Sequence, residues 1–217
     1  SDVMTTKSEA IQTTTKLDVD LDSCTSAGIK EVNEDAAGYY IPSSEHDIVN
    51  KGICLLVADG VSSAEAGREA SEYSVATFLN DYYRTPDTWS VKQAVQKILS
   101  SINLHLFKKS HEFTQQEKGY LCTFCGIIVK SRTAHFFHAG DSRFYLVRKE
   151  SDGYQISQIS RDHSVNIGGG KNILSRAVGM DNTLQIDFGS IDLVEGDRLF
   201  LSTDGVHDFI DNETLLG

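Results

Sequence analysis

Two apolar runs of this chain, CLLVADGV at Cys54–Val61 and LFLSTDGV at Leu199–Val206, stop on the same tripeptide, Asp-Gly-Val. Each has the length and composition of a buried strand. A single Asp in that place ordinarily caps a turn or the next helix, its side chain accepting a backbone N–H. The repetition points elsewhere. Two strand ends that bring Asp59 and Asp204 together would repel each other and be costly to desolvate unless a cation lies between them. Hard divalent ions such as Mg²⁺ or Mn²⁺ remove that cost, because they prefer oxygen ligands. Gly60, directly after Asp59, lets the backbone carbonyl come close to a ligand.

Other acids stand at similar transitions. Asn33-Glu34-Asp35 ends a strand-like segment, and Gly140-Asp141-Ser142-Arg143 joins two strands through a tight turn that reads as a hairpin. The chain's 217 residues, 40% of them apolar, suffice for one core and one domain. A formal charge of −11 argues against a nucleic-acid or anionic-membrane partner, but suits a protein that holds cations. No apolar run approaches the roughly 18 residues of a membrane span, and no signal peptide is recognised. Four cysteines are too few for a disulfide framework, so a reducing, cytoplasmic location is expected.

The polar, Thr-rich residues 1–16 read as a flexible N-terminal arm, and 17–217 as one domain. Strand-like segments lie near Cys24–Ile29, Ala36–Ile41 and Ile53–Ala58. Helical spacing follows at Ala64–Arg84 and Ser90–Phe113, separated by a turn at Thr85–Thr88, which predicts an antiparallel helix pair. From Leu121 the chain returns to short strands: LCTFCGIIV, TAHFFHAG, SRFYLVR and YQISQIS. Asn166 and Gly168–Gly170 predict a flap-like loop, Asn172–Val178 a short helix, and Leu184–Gly189 and Arg198–Ser202 two last strands. This order gives an α+β fold of antiparallel sheets with helices outside.

KEVNED, LLVADGVSS, CTFCGIIV, HAGDSRFYLVR, SRDHSV, LSRAVG and LFLSTDGVHDF together resemble the PP2C (PPM) family of metal-dependent protein phosphatases, from about Ser26 onward. The resemblance implies a four-layer α-β-β-α sandwich of two antiparallel sheets flanked by helices. It implies hydrolysis of phosphoserine and phosphothreonine in proteins by a metal-activated water at a binuclear Mg²⁺ or Mn²⁺ centre. By position, Asp59 matches the carboxylate bridging both metals, Gly60 offers its carbonyl to one, and Asp204 binds the other. Glu34 and Asp35 match the acidic pair that binds a metal directly or through its water. Asp141 matches the ligand of a third, weaker metal in bacterial relatives. The stretch ADGVSS through LNDYYRTPDTWSV is similar to the phosphatase module of bacterial proteins that carry a kinase domain downstream.

Departures from the pattern are as informative. Lys30 stands where the family commonly has a phosphate-binding Arg, so the charge is kept and the bidentate fork lost. Val61 replaces the His of eukaryotic relatives, and Cys122-Thr123-Phe124 replaces Gly-Thr-Thr. The family's last metal-binding Asp lies well beyond the second Asp-Gly, whereas Gly217 is 13 residues past Asp204, so truncation within the domain is expected. Lys30 and that missing Asp motivate an alternative, a catalytically weakened PP2C-like regulatory or binding module. A zinc-stabilised interaction domain is a third reading, since Cys122-x2-Cys125 precedes His135-x2-His138. Residues three apart on a strand face opposite ways, however, which favours cysteines as small core side chains. His163 and Asp162 of SRDHSV and Ser175-Arg176 are expected to order the flap, His207 to cap a final helix, and Lys108-Lys109 to lie in solvent.

Overall fold

The computed structural model describes residues 36–61, 64–112 and 119–203, together with the paired backbone of 11–12, 17–20 and 28–31. Its first sheet, sheet A, has the order β1-β4-β5-β6-β7-β12: β1 (Ile11–Gln12), β4 (Ala36–Tyr40), β5 (Ile53–Gly60), β6 (Cys122–Lys130), β7 (Thr133–Ala139) and β12 (Asp187–Asp192). Sheet B runs β2-β3-β13-β8-β9: β2 (Leu17–Asp20), β3 (Gly28–Glu31), β13 (Arg198–Ser202), β8 (Arg143–Glu150) and β9 (Gly153–Gln158). Adjacent strands are antiparallel except β3 and β13, which pair in parallel. A separate hairpin joins β10 (Ser164–Asn166) to β11 (Asn172–Leu174).

Alternation along β5 explains the layering. Cys54, Leu56 and Ala58 face the helices, while Ile53, Leu55 and Val57 face sheet B, so this strand is apolar on both sides. Over one face lie α2 (Ala64–Tyr82) and α3 (Val91–Ser110), packed side by side as their spacing predicts. Val91, Val95, Ile98, Ile102 and Leu106 form the buried stripe of α3. Ser90 caps it, its hydroxyl accepting from the Gln93 N–H at 3.1 Å, and Lys108 and Lys109 oppose the dipole at the far end. Between the sheets, Phe144, Leu146, Leu199 and Leu201 of sheet B meet Leu55, Val57, Cys125 and Ile127 of sheet A. Tyr145, Val147 and Phe200 are buried on the other face of sheet B, where no helix packs among the described residues.

Several expectations need correction. Asn172–Leu174 is strand β11, because Ile173 pairs with Val165 across the hairpin, leaving no helix at Asn172–Val178. Gly140–Ser142 is a crossover between sheets and not a hairpin, since β7 belongs to sheet A and β8 to sheet B. The strand expected at Leu184–Gly189 begins at Asp187, paired with His138. Lys109 is not simply solvated; it pairs with Glu69 and lies over the Tyr120 ring. A short helix, α1 (Glu45–Asn50), buries no residue and so has no apolar stripe, its one signal being the Ser44 cap and the acids of its first turn. Ile11–Gln12, within the segment read as an arm, pairs with β4. Among the described residues no helix is long and apolar enough to cross a membrane.

The zinc arrangement is also resolved geometrically. Cys122 lies in the helix-side core and Cys125 in the inter-sheet core, on opposite faces of β6. Burial pushes the Cys122 thiol up to about 12, with Asp59 adding to it against a Ser74 hydrogen bond. His138 is buried on β7, its Nε2–H donating to the Arg161 carbonyl at 2.6 Å. Its Nδ1 has no hydrogen-bond partner among the described residues. Burial therefore holds the imidazole neutral, with its pKa below the ordinary 6.5.

Two outcomes follow. Phe78 is wholly buried among Tyr82, Phe124 and Phe137, so Phe78→Ala should cost about 3–5 kcal/mol in urea unfolding, while Val49→Ala at an exposed site should stay within about 0.5 kcal/mol. The unfolded chain protonates His138 near 6.5 and the folded chain does not. Stability should therefore be intact above that pH and fall as pH drops below it, until the lowered folded-state value is passed. His138→Gln should make this decline shallower without abolishing it, because burial lowers His135 too. An unchanged slope would mean that folding does not shift the His138 pKa.

Candidate metal centre

One end of the sandwich collects the strand termini that carry acids. β5 ends at Asp59-Gly60, opposite Thr123 and Cys122 at the start of β6. Ala36, which opens β4, pairs with Ala58, and Ser202, which closes β13, pairs with Arg143 at the start of β8. Glu31 closes β3 beside Leu201. The Gly140–Ser142 crossover spans both sheets at this same end, so Asp141 sits where the two sheets meet.

Asp59 continues the alternation of Leu55 and Val57 and lies half-buried on the inter-sheet side. Thr123 links it to the crossover. The Thr123 hydroxyl accepts from the Asp59 N–H at 3.2 Å and shares a 2.6 Å hydrogen bond with Ser142, next to Asp141. Gly140 is needed there: its φ is +115°, and a Cβ would stand 2.7 Å from the Thr123 methyl. Gly60 is needed for a different reason. A Cβ on it would lie 2.5 Å from the Gly67 carbonyl carbon, so the end of β5 and the first turns of α2 touch backbone to backbone.

Asp59, Gly60 and Asp141 are thus gathered at one end. Lys30 is seen through its backbone, paired with Asp18 and Phe200, one residue before the end of β3. Glu34, Asp35 and Asp204 lie outside the described residues, as do His207, Asp208 and Asp211. The visible donors, carboxylates and a main-chain carbonyl, are hard oxygen ligands of the kind that Mg²⁺ and Mn²⁺ take.

A second polar cluster adjoins the crossover. His163 donates its backbone N–H to the Gly140 carbonyl at 3.0 Å and accepts from the Gly140 N–H on Nδ1 at 3.0 Å. Nε2 of His163 therefore carries the proton and donates to Asp187 at 2.8 Å. Arg176 donates to the other Asp187 oxygen at 2.9 Å. Partial burial alone would raise the Asp187 carboxyl; the His163 and Arg176 hydrogen bonds more than offset it and hold it below the usual carboxylate range. Arg143 grips Asp162 through two hydrogen bonds, 2.9 and 2.6 Å long. Asn103 of α3 accepts from the Gly179 N–H and donates to the Asp181 carbonyl. Asp187 and Asn103 escaped the sequence reading; a lone acid inside LQIDFGSI and a lone amide in a helical stripe carry no spacing signal.

A family profile for protein phosphatase 2C matches residues 27–216. The protein phosphatase PhpP of Streptococcus pneumoniae is 27% identical over 195 residues, covering 82% of this chain and 74% of its own. The serine/threonine phosphatase stp of Listeria monocytogenes is 25% identical over 197 residues, covering 84% and 75%. In fold, the chain is similar to PppA of Pseudomonas aeruginosa, with a TM-score of 0.66 at 20% identity over 95% of this chain and 82% of that one. It also resembles the Streptococcus agalactiae serine/threonine phosphatase, with a TM-score of 0.64 at 23% identity over 84% and 78%. A profile that runs through both Asp-Gly motifs, relatives named as phosphatases and a shared two-sheet fold lead to one assignment: the chain belongs to the protein phosphatase 2C family of metal-dependent serine/threonine phosphatases.

Proposed function

We propose that the chain dephosphorylates phosphoserine and phosphothreonine in proteins at a two-cation centre in which Asp59 is shared between the cations. The observation that carries this reading is the arrival of Asp59-Gly60 and Asp141 at one end of the sandwich, joined through Thr123. The remaining ligands are assigned by sequence position. Asp204 comes two residues after Ser202, and Asp35 one residue before Ala36, both of which are strand termini at that end. Glu34, Asp35, Asp59, Gly60 and Asp204 would hold two Mg²⁺ or Mn²⁺ ions, and Asp141 a weaker third.

When bound, such ions lower the pKa of a shared water to yield the nucleophile and offset charge on the phosphoryl oxygens. The chain's own residues supply the frame. Asp59 is a short carboxylate on a doubly buried strand, so its position varies little. Gly60 is set by its close backbone approach to Gly67, which leaves no room for a side chain at that position. Lys30 offers the phosphate a single point charge in place of a guanidinium fork. Among the described residues no cysteine is poised as a nucleophile, because burial keeps Cys54, Cys122 and Cys125 as thiols. Three buried free cysteines also suit a reducing, cytoplasmic setting.

Asp59→Ala should reduce Mn²⁺-dependent hydrolysis of p-nitrophenyl phosphate to background and remove high-affinity Mn²⁺ binding in calorimetry, with the fold retained by circular dichroism. Near-normal turnover would overturn the shared-ligand assignment. Lys30→Arg should restore a bidentate phosphate contact and lower KM for a phosphothreonine peptide by roughly fivefold, on the order of 1 kcal/mol. An unaltered KM would move Lys30 out of the phosphate site.

A further inference from the structure

Helix α3 carries Lys92, Lys97, Lys108 and Lys109 and not one acid, in a chain with 31 acids and 20 lysines and arginines. Its neighbour α2 has the ordinary balance of this chain, with Glu65, Glu69, Glu72 and Asp81 against Arg68. The arrangement runs against the helix dipole. Acids in the first turn favour the positive end of a helix; α3 has none there and places Lys92 in that turn instead. At the far end the lysines complement the dipole, and Lys109 pairs with Glu69. Lys92 and Lys97 form no ion pair among the described residues. Each lies over an aromatic ring, Lys92 Nζ 5.6 Å from the Phe188 centroid and Lys97 Nζ 5.3 Å from that of Trp89.

With Ser90, Gln93, Gln96 and Ser100, these two lysines line an open groove of about 630 Å³ that no acid enters. Lys92 and Gln96 also line a second hollow of about 450 Å³ beside β12, the edge strand of sheet A. Its wall includes Ser160, the exposed Arg161 and the buried His138. The Arg161 side chain has no ion pair among the described residues. Asp187 is the one acid of that wall, and both its oxygens are engaged, by His163 and Arg176. His138 Nδ1 is an acceptor for which the described residues supply no donor, on a side chain only 2% exposed. Two residues after Arg161, the His163 ring accepts from the Gly140 N–H. The hollow therefore adjoins the end of the sandwich that gathers Asp59 and Asp141.

We propose that the Ser90–Ser100 face of α3, continued through Arg161, is a docking groove for an acidic segment of the phosphoprotein, apart from the phosphoryl group itself. Unpaired cations above a first turn without acids favour carboxylates, and peptide N–H groups are the donors that His138 lacks. A short acidic peptide suits the groove better than a nucleic acid or an anionic membrane, because a chain of net charge −11 repels an extended polyanion. A segment held there raises the local concentration of the attached phosphoresidue and so acts on KM more than on kcat. Assigning the segment to a substrate rests on the phosphatase reading above; the preference of the groove for acidic peptide does not.

The test uses the double variant Lys92→Glu, Lys97→Glu and the single variant Arg161→Gln. Glutamate in the first turn of α3 suits the dipole, so the double variant should melt close to the parent, and lost binding is then not lost fold. A fluorescein-labelled peptide of alternating glutamate and serine is titrated in EDTA by anisotropy, which removes any contribution from bound metal. Affinity should fall about tenfold in the double variant, the size expected when a few exposed ion pairs are reversed, and less in Arg161→Gln. Added salt should weaken binding to the parent. In Mn²⁺, a glutamate tail joined to a phosphothreonine peptide through a glycine-serine spacer, on one side or the other, should lower KM for the parent. The double variant should lose that advantage and hydrolyse p-nitrophenyl phosphate at the parent rate. Equal peptide affinity in parent and double variant would overturn the groove. Binding of single-stranded DNA or phosphatidylserine vesicles without binding of the peptide would overturn its occupant. If the peptide binds as expected but the tail leaves KM unchanged, the assignment to a substrate is overturned. If it binds and no phosphopeptide is hydrolysed, the phosphatase reading fails, the substrate assignment fails with it, and the groove stands.

Discussion

β5 has apolar side chains on both faces for six residues and then delivers a carboxylate. That juxtaposition governs the functional end of the molecule. A strand packed against helices on one side and a second sheet on the other cannot slip, because a one-residue shift would exchange its two buried faces. Asp59 is accordingly as immobile as the core behind it. At the neighbouring strand ends Asp141 supplies a further oxygen donor, while the Arg143 guanidinium is engaged by Asp162. On the two-cation assignment proposed above, a divalent ion would offset the repulsion among these oxygen donors.

The polar residues around the end are organised to hold backbone as well as ligand. Thr123 serves Asp59 and Ser142 with one hydroxyl, His163 serves Gly140 with both backbone and ring, and Asn103 serves Gly179 and Asp181 with both ends of its amide. Each contact joins residues distant in sequence. Helix α3, which contributes no candidate ligand, nevertheless reaches the flap through Asn103. The functional end of this chain consequently rests on a wider set of side chains than the acids alone.

Much of this was legible beforehand. The two long helices followed from apolar spacing, β5 and β13 from their aliphatic runs, and the family from motifs spread along most of the chain. Asp59 and Gly60 drew attention as an Asp-Gly after an apolar run, and Asp141 as a Gly-Asp turn between strands; the structure brings all three to one end. The errors have physical causes. NILSRAV has apolar residues at helical intervals, yet its first three residues find strand partners in Ser164–Asn166, and pairing prevails over local period. Gly140-Asp141 looks like a hairpin because a tight turn does not reveal whether the next strand joins the same sheet. α1 buries nothing, so it has no stripe to detect. Asp187 is a functional neighbour only through contacts with His163 and Arg176, which no linear spacing encodes.

The parallel pairing of β13 with β3 carries a consequence for biosynthesis. Most of sheet A and both long helices come from one continuous stretch, residues 36–139, and its pairings are between neighbours in the chain. Sheet B is different: Gly28–Glu31 must wait for Arg198–Ser202 before it gains that partner. Such long-range closure comes late, after the local layers have formed. Asp59 is therefore synthesised well before Arg198–Ser202, and the core of sheet B that packs behind it cannot be assembled until that strand has joined β3 and β8.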